Sequence, residues 1–353
     1  MTTRRRFIQA LAATPAVAAL GMQAQAAGNP SRIALAIGNN AYRDSPLANP
    51  INDAKAMGDL LGAAGFTLQT EFDCSRDSIA EAVSRFAAAA QAPEVKQVFF
   101  YYAGHALQLD WHNYLVPVDA KVDSAGKVAT SCFDLATILR ELGRAKGKVF
   151  IIVLDACRDD PFGGGFRPQQ KGLSQFDAPA GSLLAYATAP GSVAADGEGA
   201  NGLYTSHLVR ELSVKGVKLE DAFKRTRLNV RLASRGKQVP WETTSLETDF
   251  FIFEESRRKL SEDELEAEAE ADMAMWSVAR LSKKPDDLVD YVRRFPNGRF
   301  AEMAQMRLAR LQASGAPPAS DAAPPRIANE AQWSALPVGA LYYDPKGNLR
   351  RKS

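Results

Sequence analysis

Short apolar runs alternate with amphipathic stretches from residue 32 to residue 253, and this alternation limits what the chain can fold into more than any other feature. Runs of strand length separated by helical periodicity predict an α/β fold with a mostly parallel central sheet. The predicted strands are residues 32–37, 66–71, 98–102, 149–154, 182–187 and 250–253, and the predicted helices are residues 53–64, 76–90, 133–142, 203–214 and 219–233.

Composition narrows the function classes. The 353 residues are 46% hydrophobic and 24% charged, as expected for one large globular domain or two ordinary ones. Lys and Arg number 43 against 41 Asp and Glu, so there is no basic excess of the kind that nucleic-acid binding requires. Three cysteines are too few for a disulfide framework, and the odd count leaves at least one thiol free or paired between chains.

The first residues have the layout of an export signal. Arg4, Arg5 and Arg6 precede a run of small apolar residues at 10–22, and Ala-rich positions 24–27 follow, so we predict a signal peptide over residues 1–27. Two arginines followed by a variable residue and Phe7-Ile8 resemble the bacterial twin-arginine signal, which implies a periplasmic protein. The apolar run is shorter than the roughly 20 residues of a membrane span, so no stable membrane insertion is expected after signal removal.

The composition changes after residue 253, where nine acidic residues between Glu254 and Asp272 predict a solvated helix. A second helical stretch follows Pro285, and a turn at 294–300 precedes an amphipathic segment at 301–311. The pair resembles the helical hairpins of tetratricopeptide-like repeats, which suggests a protein partner for this part of the chain. We therefore divide the chain into a leader (1–27), an α/β domain (28–253), a helical extension (254–311) and an Ala/Pro-rich linker and tail (312–353).

Two of the predicted strands are followed by residues whose side chains can take part in catalysis. Residues 98–102 lead into Gly104-His105, and residues 149–154 lead into Asp155 and then Cys157. Because the carboxyl ends of parallel strands share one edge of a sheet, these side chains could meet there. A thiol attacks only as a thiolate, and a nearby imidazole both promotes its ionisation and later protonates the leaving amine. Gly104, lacking Cβ, would let a backbone N–H approach the scissile carbonyl as part of an oxyanion hole.

Each of these residues also has an ordinary structural interpretation. A free cysteine at the end of a strand is commonly a buried packing residue, and this stays the alternative for Cys157. Cys74 and Cys132 are interpreted as packing residues too, with a disulfide between them left open. Cys157 differs in having a candidate partner, since His105 lies 52 residues upstream and follows the preceding predicted strand.

With this spacing and framing, the chain resembles the caspase-like cysteine peptidases, and within them the bacterial metacaspase and paracaspase group. Residues 34–39 with Tyr42, 47–53, 184–191 and 201–203 extend the resemblance, which covers residues 32–253. Here the glycine precedes the histidine, whereas the family places a glycine after it. The resemblance implies a three-layer sandwich and a cysteine endopeptidase in which Cys157 is the nucleophile, His105 the general acid and base, and Gly104 an oxyanion contributor.

The resemblance also implies which bond is cut. Where the family selects Arg or Lys, acids line the S1 pocket, and the corresponding positions here are Asp53 and Asp155, with Asp196 as a third acid. Caspases proper carry Gln where this chain has Asp155, so cleavage after aspartate is not expected. Arg is expected to be preferred over Lys, because its planar fork can bond two carboxylates. The structural alternatives are a helix N-terminal charge for Asp53 and an acceptor at a turn for Asp155.

The remaining expectations concern regulation and competing functions. The Gly-rich segment at 163–175 predicts an exposed loop, and Arg167 and Lys171 within it are candidate self-cleavage sites. No metal or other cofactor is expected; the calcium dependence of several relatives is left open, since Asp159 and Asp160 replace the residues that follow the nucleophile in many metacaspases. Two other functions stay open, namely a catalytically silent caspase-fold binding module and a cysteine amidase acting on small amides.

Overall fold

The computed structural model describes residues 29–157, 162, 180–189, 199–254, 261–315, 341–343 and 349–351. The predicted signal peptide, Asp196 and the predicted self-cleavage sites Arg167 and Lys171 lie outside these ranges.

A mostly parallel sheet forms the centre of the domain, as the alternating pattern predicts. Its strands follow the order β2-β1-β3-β6-β7-β8, in which every neighbouring pair is parallel except the last. Strand β3 continues into an antiparallel hairpin with β4, and β4 in turn pairs with β5. The strands of this sheet are β1 (Asn29–Gly38), β2 (Phe66–Phe72), β3 (Gln97–Leu109), β4 (His112–Leu115), β5 (Phe133–Asp134), β6 (Val149–Cys157), β7 (Ser182–Tyr186) and β8 (Trp241–Thr244).

Helices cover both faces of the sheet and give the predicted three layers. Residues of β3 alternate between the two faces, so Tyr101 packs with one helical layer and Tyr102 with the other. The layer on the Tyr101 face contains α1 (Pro50–Ala63), α5 (Leu203–Leu212) and α6 (Leu219–Ala233), and the opposite layer contains α2 (Arg76–Ala90) and α4 (Leu135–Leu142), with the short α3 (Ala125–Ser131) leading into β5.

Several element boundaries differ from the sequence-based prediction, and two of the differences have clear local causes. The helix predicted to start at residue 133 starts at Leu135, because Phe133 and Asp134 pair with β4 and the Asp134 side chain accepts a hydrogen bond from the N–H of Ala136. The strand predicted to end at residue 102 runs on to Leu109, where Asp110 and Trp111 both adopt positive φ and turn the chain into β4.

The predicted strand at residues 250–253 was wrong. The antiparallel edge strand is β8, and residues 250–253 form no strand, although Phe250 and Ile252 are buried. The carbonyl groups of this segment have other partners. The Arg32 guanidinium donates to the carbonyls of Phe251 and Ile252, and the N–H of Leu219 donates to the carbonyl of Phe250. This apolar, aromatic run has the sequence pattern of a strand, but the Arg32 side chain supplies hydrogen bonds that a neighbouring strand would otherwise supply.

Arg32 is consequently a buried tie between β1 and this segment. Its side chain also donates to Ala64 O and to Gln97 Oε1, and its guanidinium lies 4.9 Å from the centre of the Phe66 ring. Burial lowers the pKa of Arg32, and the Glu254 carboxylate opposes this effect. The charged group is held by hydrogen bonds from several directions, which makes it costly to remove.

We expect Arg32→Ala to lower the free energy of unfolding by about 2 to 4 kcal/mol, because several buried carbonyls lose their donor at once. Arg32→Lys should recover only part of this loss, since an ammonium cannot reproduce the planar fork. Urea unfolding followed by circular dichroism measures both. Arg85→Ala removes an exposed guanidinium that pairs with Glu71, and as a control it should cost less than about 1 kcal/mol. Equal costs for the two alanine variants would contradict this role.

Further helices follow the α/β domain along the chain and pack against it. Its helices are α7 (Glu262–Ala279), α8 (Pro285–Arg294) and α9 (Ala301–Gly315), and Ser261 and Glu264 form a capping box at the start of α7. Leu288, Tyr291 and Leu308 bury their side chains together with Leu228 of α6. A single helical hairpin cannot bury its own apolar face, and here that face is buried against α6.

Strands β9 (Leu341–Tyr343) and β10 (Leu349–Arg351) pair antiparallel within the tail. Among the described residues, no helix combines the length and the apolar character that crossing a membrane needs.

Candidate active site

The register of the central sheet brings the two predicted catalytic residues together. Strands β3 and β6 run parallel, and His105 and Cys157 are direct partners at the carboxyl end of this ladder. Neighbouring strands lie about 4.8 Å apart, so the two backbones are as close as a sheet allows. The sequence separation of 52 residues thus becomes adjacency at one edge of the sheet.

His105 is held in one orientation by three contacts. Its side chain is buried, its ring lies 4.4 Å from the ring of Tyr42 between centroids, and its backbone N–H donates to Tyr42 Oη over 2.9 Å. Its Nε2 lies 2.8 Å from the carbonyl oxygen of Ser45. Because a carbonyl can only accept, Nε2 carries the hydrogen, and the neutral imidazole then has its basic lone pair on Nδ1. The Ser45 carbonyl therefore fixes the tautomer that a general base needs.

Gly104 occupies a position that no other residue would fit. Its φ is +152°, and a Cβ there would lie 2.5 Å from Tyr42 Oη and 2.8 Å from Tyr102 Oη. Tyr102 Oη in turn donates to the carbonyl of His105 over 2.8 Å. Glycine at this position is thus required by the two tyrosine hydroxyls that hold the neighbouring histidine. This is a packing reason, and the oxyanion role of Gly104 stays a separate prediction.

Asp53 and Asp155 converge on the first turn of α5. Asp53 is buried in the first turn of α1, and its Oδ1 accepts hydrogen bonds from Asn201 Nδ2 at 2.9 Å and from the N–H of Gly202 at 2.8 Å. Asp155 Oδ2 accepts from Thr205 Oγ1 at 2.6 Å. A Cβ on Gly202 would lie 3.0 Å from Asp53 Oδ2 and 3.6 Å from Asp155 Oδ2. Two carboxylates from distant parts of the chain therefore face the same small volume.

Both carboxylates affect the pKa of the buried Tyr101 hydroxyl. Burial raises the pKa of Tyr101 well above its ordinary value, and the negative charges of Asp155 and then Asp53 raise it further. The pKa of Tyr204 is raised in the same way, by burial and by Asp155. Each carboxylate thus contacts groups outside its own helix or strand.

Comparison with known proteins identifies the family. The family model for the caspase domain of peptidases matches residues 31–251. This chain belongs to the caspase domain family. It is 28% identical over 130 residues to the human mucosa-associated lymphoid tissue lymphoma translocation protein 1, and the match covers 36% of this chain and 15% of the human protein. The crystal structure of the Drosophila initiator caspase Dronc is 14% identical with a TM-score of 0.47, covering 65% of this chain and 87% of that one.

The other two cysteines of this caspase domain do not pair with each other. Cys74 and Cys132 are free and buried. Burial, followed by the charges of Glu71 and Asp73, raises the pKa of the Cys74 thiol to about 11. Burial raises that of Cys132 to about 12, although Arg76 opposes the shift. At neutral pH both are protonated thiols, which agrees with their interpretation as packing residues.

The other histidines of the caspase domain lie away from the dyad positions. His112 is exposed, with Nδ1 3.4 Å from Asp134 Oδ2, and His207 lies on α5, where Nδ1 is 3.0 Å from Arg210 Nη2. Burial and the charge of Arg210 lower the pKa of His207. Throughout the described ranges no cluster of three or more His, Cys, Asp or Glu residues could hold a metal ion.

Sequence reasoning missed several residues of the site. Ser45 acts through its backbone carbonyl, which any residue carries, so no sequence signal could have identified it. Tyr102 reads as one more apolar strand residue, and Thr205 as an ordinary helix position. Asn201 and Gly202 appeared only as part of the resemblance, and their contacts with Asp53 supply the physical reason for them.

Proposed function

We propose that this chain is a cysteine endopeptidase that cleaves peptide bonds after basic residues, Arg in preference to Lys. Membership of a family of cysteine peptidases supports the reaction class. The observation that carries the finer proposal is the combination of two features at one sheet edge. His105 and Cys157 are ladder partners, and Asp53 and Asp155 converge on the first turn of α5.

The proposed reaction begins with proton transfer. His105 Nδ1 accepts the proton of the Cys157 thiol, and the thiolate attacks the scissile carbonyl carbon to form a tetrahedral intermediate. The intermediate collapses as the C–N bond breaks, and the imidazolium returns the proton to the leaving amine. The resulting thioester is hydrolysed by a water whose proton passes to His105, which releases the carboxylate product and restores the thiol. No step requires a metal ion or another cofactor.

The hydrogen bond from Nε2 to the Ser45 carbonyl supports this assignment. In a nucleophile–base pair, a third group keeps the base in the correct tautomer and ring orientation. A backbone carbonyl can fill this position, because it accepts the Nε2 hydrogen in both the neutral and the protonated states of the ring. The rigid packing of His105 against Tyr42 limits rotation of the ring about its side-chain bonds.

Peptides and proteins with a basic P1 residue are the proposed substrates. A guanidinium entering a partly dehydrated pocket needs carboxylates to offset its lost hydration, and Asp53 and Asp155 are the candidates for this role. On the basis of the leader sequence we place the enzyme in the periplasm. We further propose that the helical extension binds a protein partner. The structure describes neither Asp196 nor the loop with Arg167 and Lys171, so these sites rest on the sequence alone.

A thiol-labelling experiment tests whether the dyad is active. At pH 7, iodoacetamide should modify Cys157 rapidly and leave Cys74 and Cys132 intact, because those two are buried and their pKa values are about 11 and about 12. His105→Ala should slow the modification, since it removes the base that helps to form the thiolate. Peptide mapping by mass spectrometry reports each site separately.

The labelling experiment and a peptide library together separate the competing functions. A silent binding module would show Cys157 labelling no faster than that of a cysteine in an unfolded peptide, and the rate would not depend on His105. A cysteine amidase for small amides would pass the labelling test and then fail to cleave any member of a peptide library. Both results would contradict the proposed endopeptidase.

A further inference from the structure

A chain of hydroxyl groups leads from the core of the domain to one of the two carboxylates. Thr205 lies in the first turn of α5 and is fully buried. Its Oγ1 is 2.6 Å from Asp155 Oδ2 and 2.5 Å from Tyr101 Oη. Tyr101 is also fully buried, within the core layer between the sheet and α1, α5 and α6. The three groups form one continuous hydrogen-bonded path.

The direction of this path is fixed by chemistry. An ionised carboxylate can only accept, so the Thr205 hydroxyl donates its hydrogen to Asp155. The Tyr101 hydroxyl must then donate to Thr205 Oγ1. Because burial and the nearby carboxylates raise the pKa of Tyr101 well above its ordinary value, its proton stays in place at working pH. Each hydroxyl thus has a single orientation, and Thr205 presents a fixed donor to Asp155.

Helix capping does not account for this contact. The N-cap residue of α5 is Gly202, which has no side chain of its own to cap the helix, and its N–H donates to Asp53 rather than to Asp155. Asp155 accepts from the side chain of Thr205, so this bond satisfies none of the backbone N–H groups that a helix start leaves open. The same turn also holds the other acid, through Asn201 and the N–H of Gly202 on Asp53 Oδ1. The first turn of α5 therefore sets the spacing between the two carboxylates.

We infer that Thr205, oriented by Tyr101, is a positioning residue that fixes the Asp155 carboxylate for bidentate recognition of an arginine side chain. This inference rests on the proposed function. The terminal torsion of an aspartate is broad, so its two oxygens need a partner to stay in one plane. A guanidinium fork depends on that plane, whereas an ammonium acts as a point charge and tolerates rotation. Loss of the Thr205 hydroxyl should therefore affect arginine substrates more than lysine substrates.

The test compares Thr205→Val with Thr205→Ser on two peptides that differ only in Arg or Lys at P1. For Thr205→Val we expect kcat/KM to fall about 10- to 100-fold with the Arg peptide, as for loss of a hydrogen bond to a charged group, and less than about 5-fold with the Lys peptide. Thr205→Ser keeps the hydroxyl and should restore the Arg/Lys ratio to within about 3-fold of wild type. Tyr101→Phe should lower the ratio in the same direction by a smaller factor.

A matched control separates positioning from stability. Thr226 is a buried threonine of α6 whose hydroxyl donates to Ala222 O within its own helix. Thr226→Val should lower the thermal midpoint by an amount similar to Thr205→Val and leave the Arg/Lys ratio unchanged. If Thr205→Val reduced both peptides equally, or if Thr205→Ser failed to rescue the ratio, the positioning role would be overturned.

A binding measurement keeps this inference separate from the proposed peptidase activity. If the wild-type chain cleaved neither peptide, the proposed function would fail, and the positioning role would be judged by calorimetry with argininamide and lysinamide on the full chain. Thr205→Val is expected to weaken argininamide binding about 10-fold or more and lysinamide binding less, by the same hydrogen-bond argument. Equal weakening of both ligands would again overturn it.

Discussion

Cys157→Ala is expected to reduce peptide hydrolysis by about 10⁴-fold or more while leaving the fold intact, because the nucleophile forms the bond on which every later step depends. His105→Ala should have an effect of the same size, since the thiolate and the protonated leaving group both depend on the imidazole. Steady-state hydrolysis of a fluorogenic peptide with Arg at P1 measures kcat and KM for each variant. Circular dichroism and thermal unfolding report whether the variants stay folded.

The double variant provides a stricter test, because the activity losses of two residues in one catalytic unit are not additive. Residues that act as one catalytic unit show similar losses when removed singly or together, so the double variant should be about as inactive as either single variant. His112→Ala serves as a control, because His112 is exposed on β4 and contacts Asp134, away from the dyad positions. It should retain wild-type activity. Losses that multiply in the double variant, or turnover by either single variant near the wild-type rate, would show that the two residues do not form a dyad.

The positions of His105 and Cys157 could be predicted because apolar strand runs are strong signals. Once residues 98–102 and 149–154 are identified as neighbouring parallel strands, whatever follows them must lie at one sheet edge. The direct pairing of the two residues was beyond sequence reasoning, since it depends on the register and on β3 continuing past residue 102. That continuation depends on the turn at Asp110 and Trp111, which carries no Asn-Gly or Asp-Gly signal.

Features that act through the backbone or across long separations were not predictable. The Ser45 carbonyl orients His105 from 60 positions away, and any residue type could supply it. Arg32 replaces a strand ladder at residues 250–253, some 220 positions along the chain. In both cases the hydrogen-bonding partner is a group that produces no hydrophobic periodicity in the sequence. Local sequence pattern therefore predicts the helices and strands. The contacts made at their ends depend on long-range hydrogen bonds.

Asp53 and Asp155 were proposed from a resemblance, and the structure adds a physical reason to pair them. Asp53 lies in the first turn of α1 and Asp155 lies near the end of β6, yet both carboxylates contact the N-terminal end of α5. Had Asp53 served only the dipole of its own helix, no contact with Asn201 and Gly202 would be needed. This shared anchor supports the proposal that the two carboxylates act together, and that proposal can be tested through substrate specificity.

Asp53→Asn and Asp155→Asn are each expected to lower kcat/KM for substrates with Arg at P1 by about 10- to 1000-fold, corresponding to about 1.4 to 4 kcal/mol for breaking a buried charged contact. Asparagine keeps the volume and an oxygen acceptor, so the contacts with α5 can persist while the charge is lost. Substrates with an uncharged P1 residue should lose little, because they need no carboxylate to offset their dehydration. A P1 scan over all residues on wild type and both variants measures this.

Asp119→Asn is the matched control for the structural alternative. The Asp119 carboxylate accepts a hydrogen bond from the N–H of Arg76 at the start of α2, so its role is local to that helix end. Its substitution should lower stability by less than about 1 kcal/mol, because asparagine keeps an oxygen acceptor and loses only the charge near the helix N-terminus, and should leave the P1 profile unchanged. If Asp53→Asn and Asp155→Asn behaved like this control, or if wild type preferred Asp at P1, the two carboxylates would be structural groups and the specificity pocket would lie elsewhere.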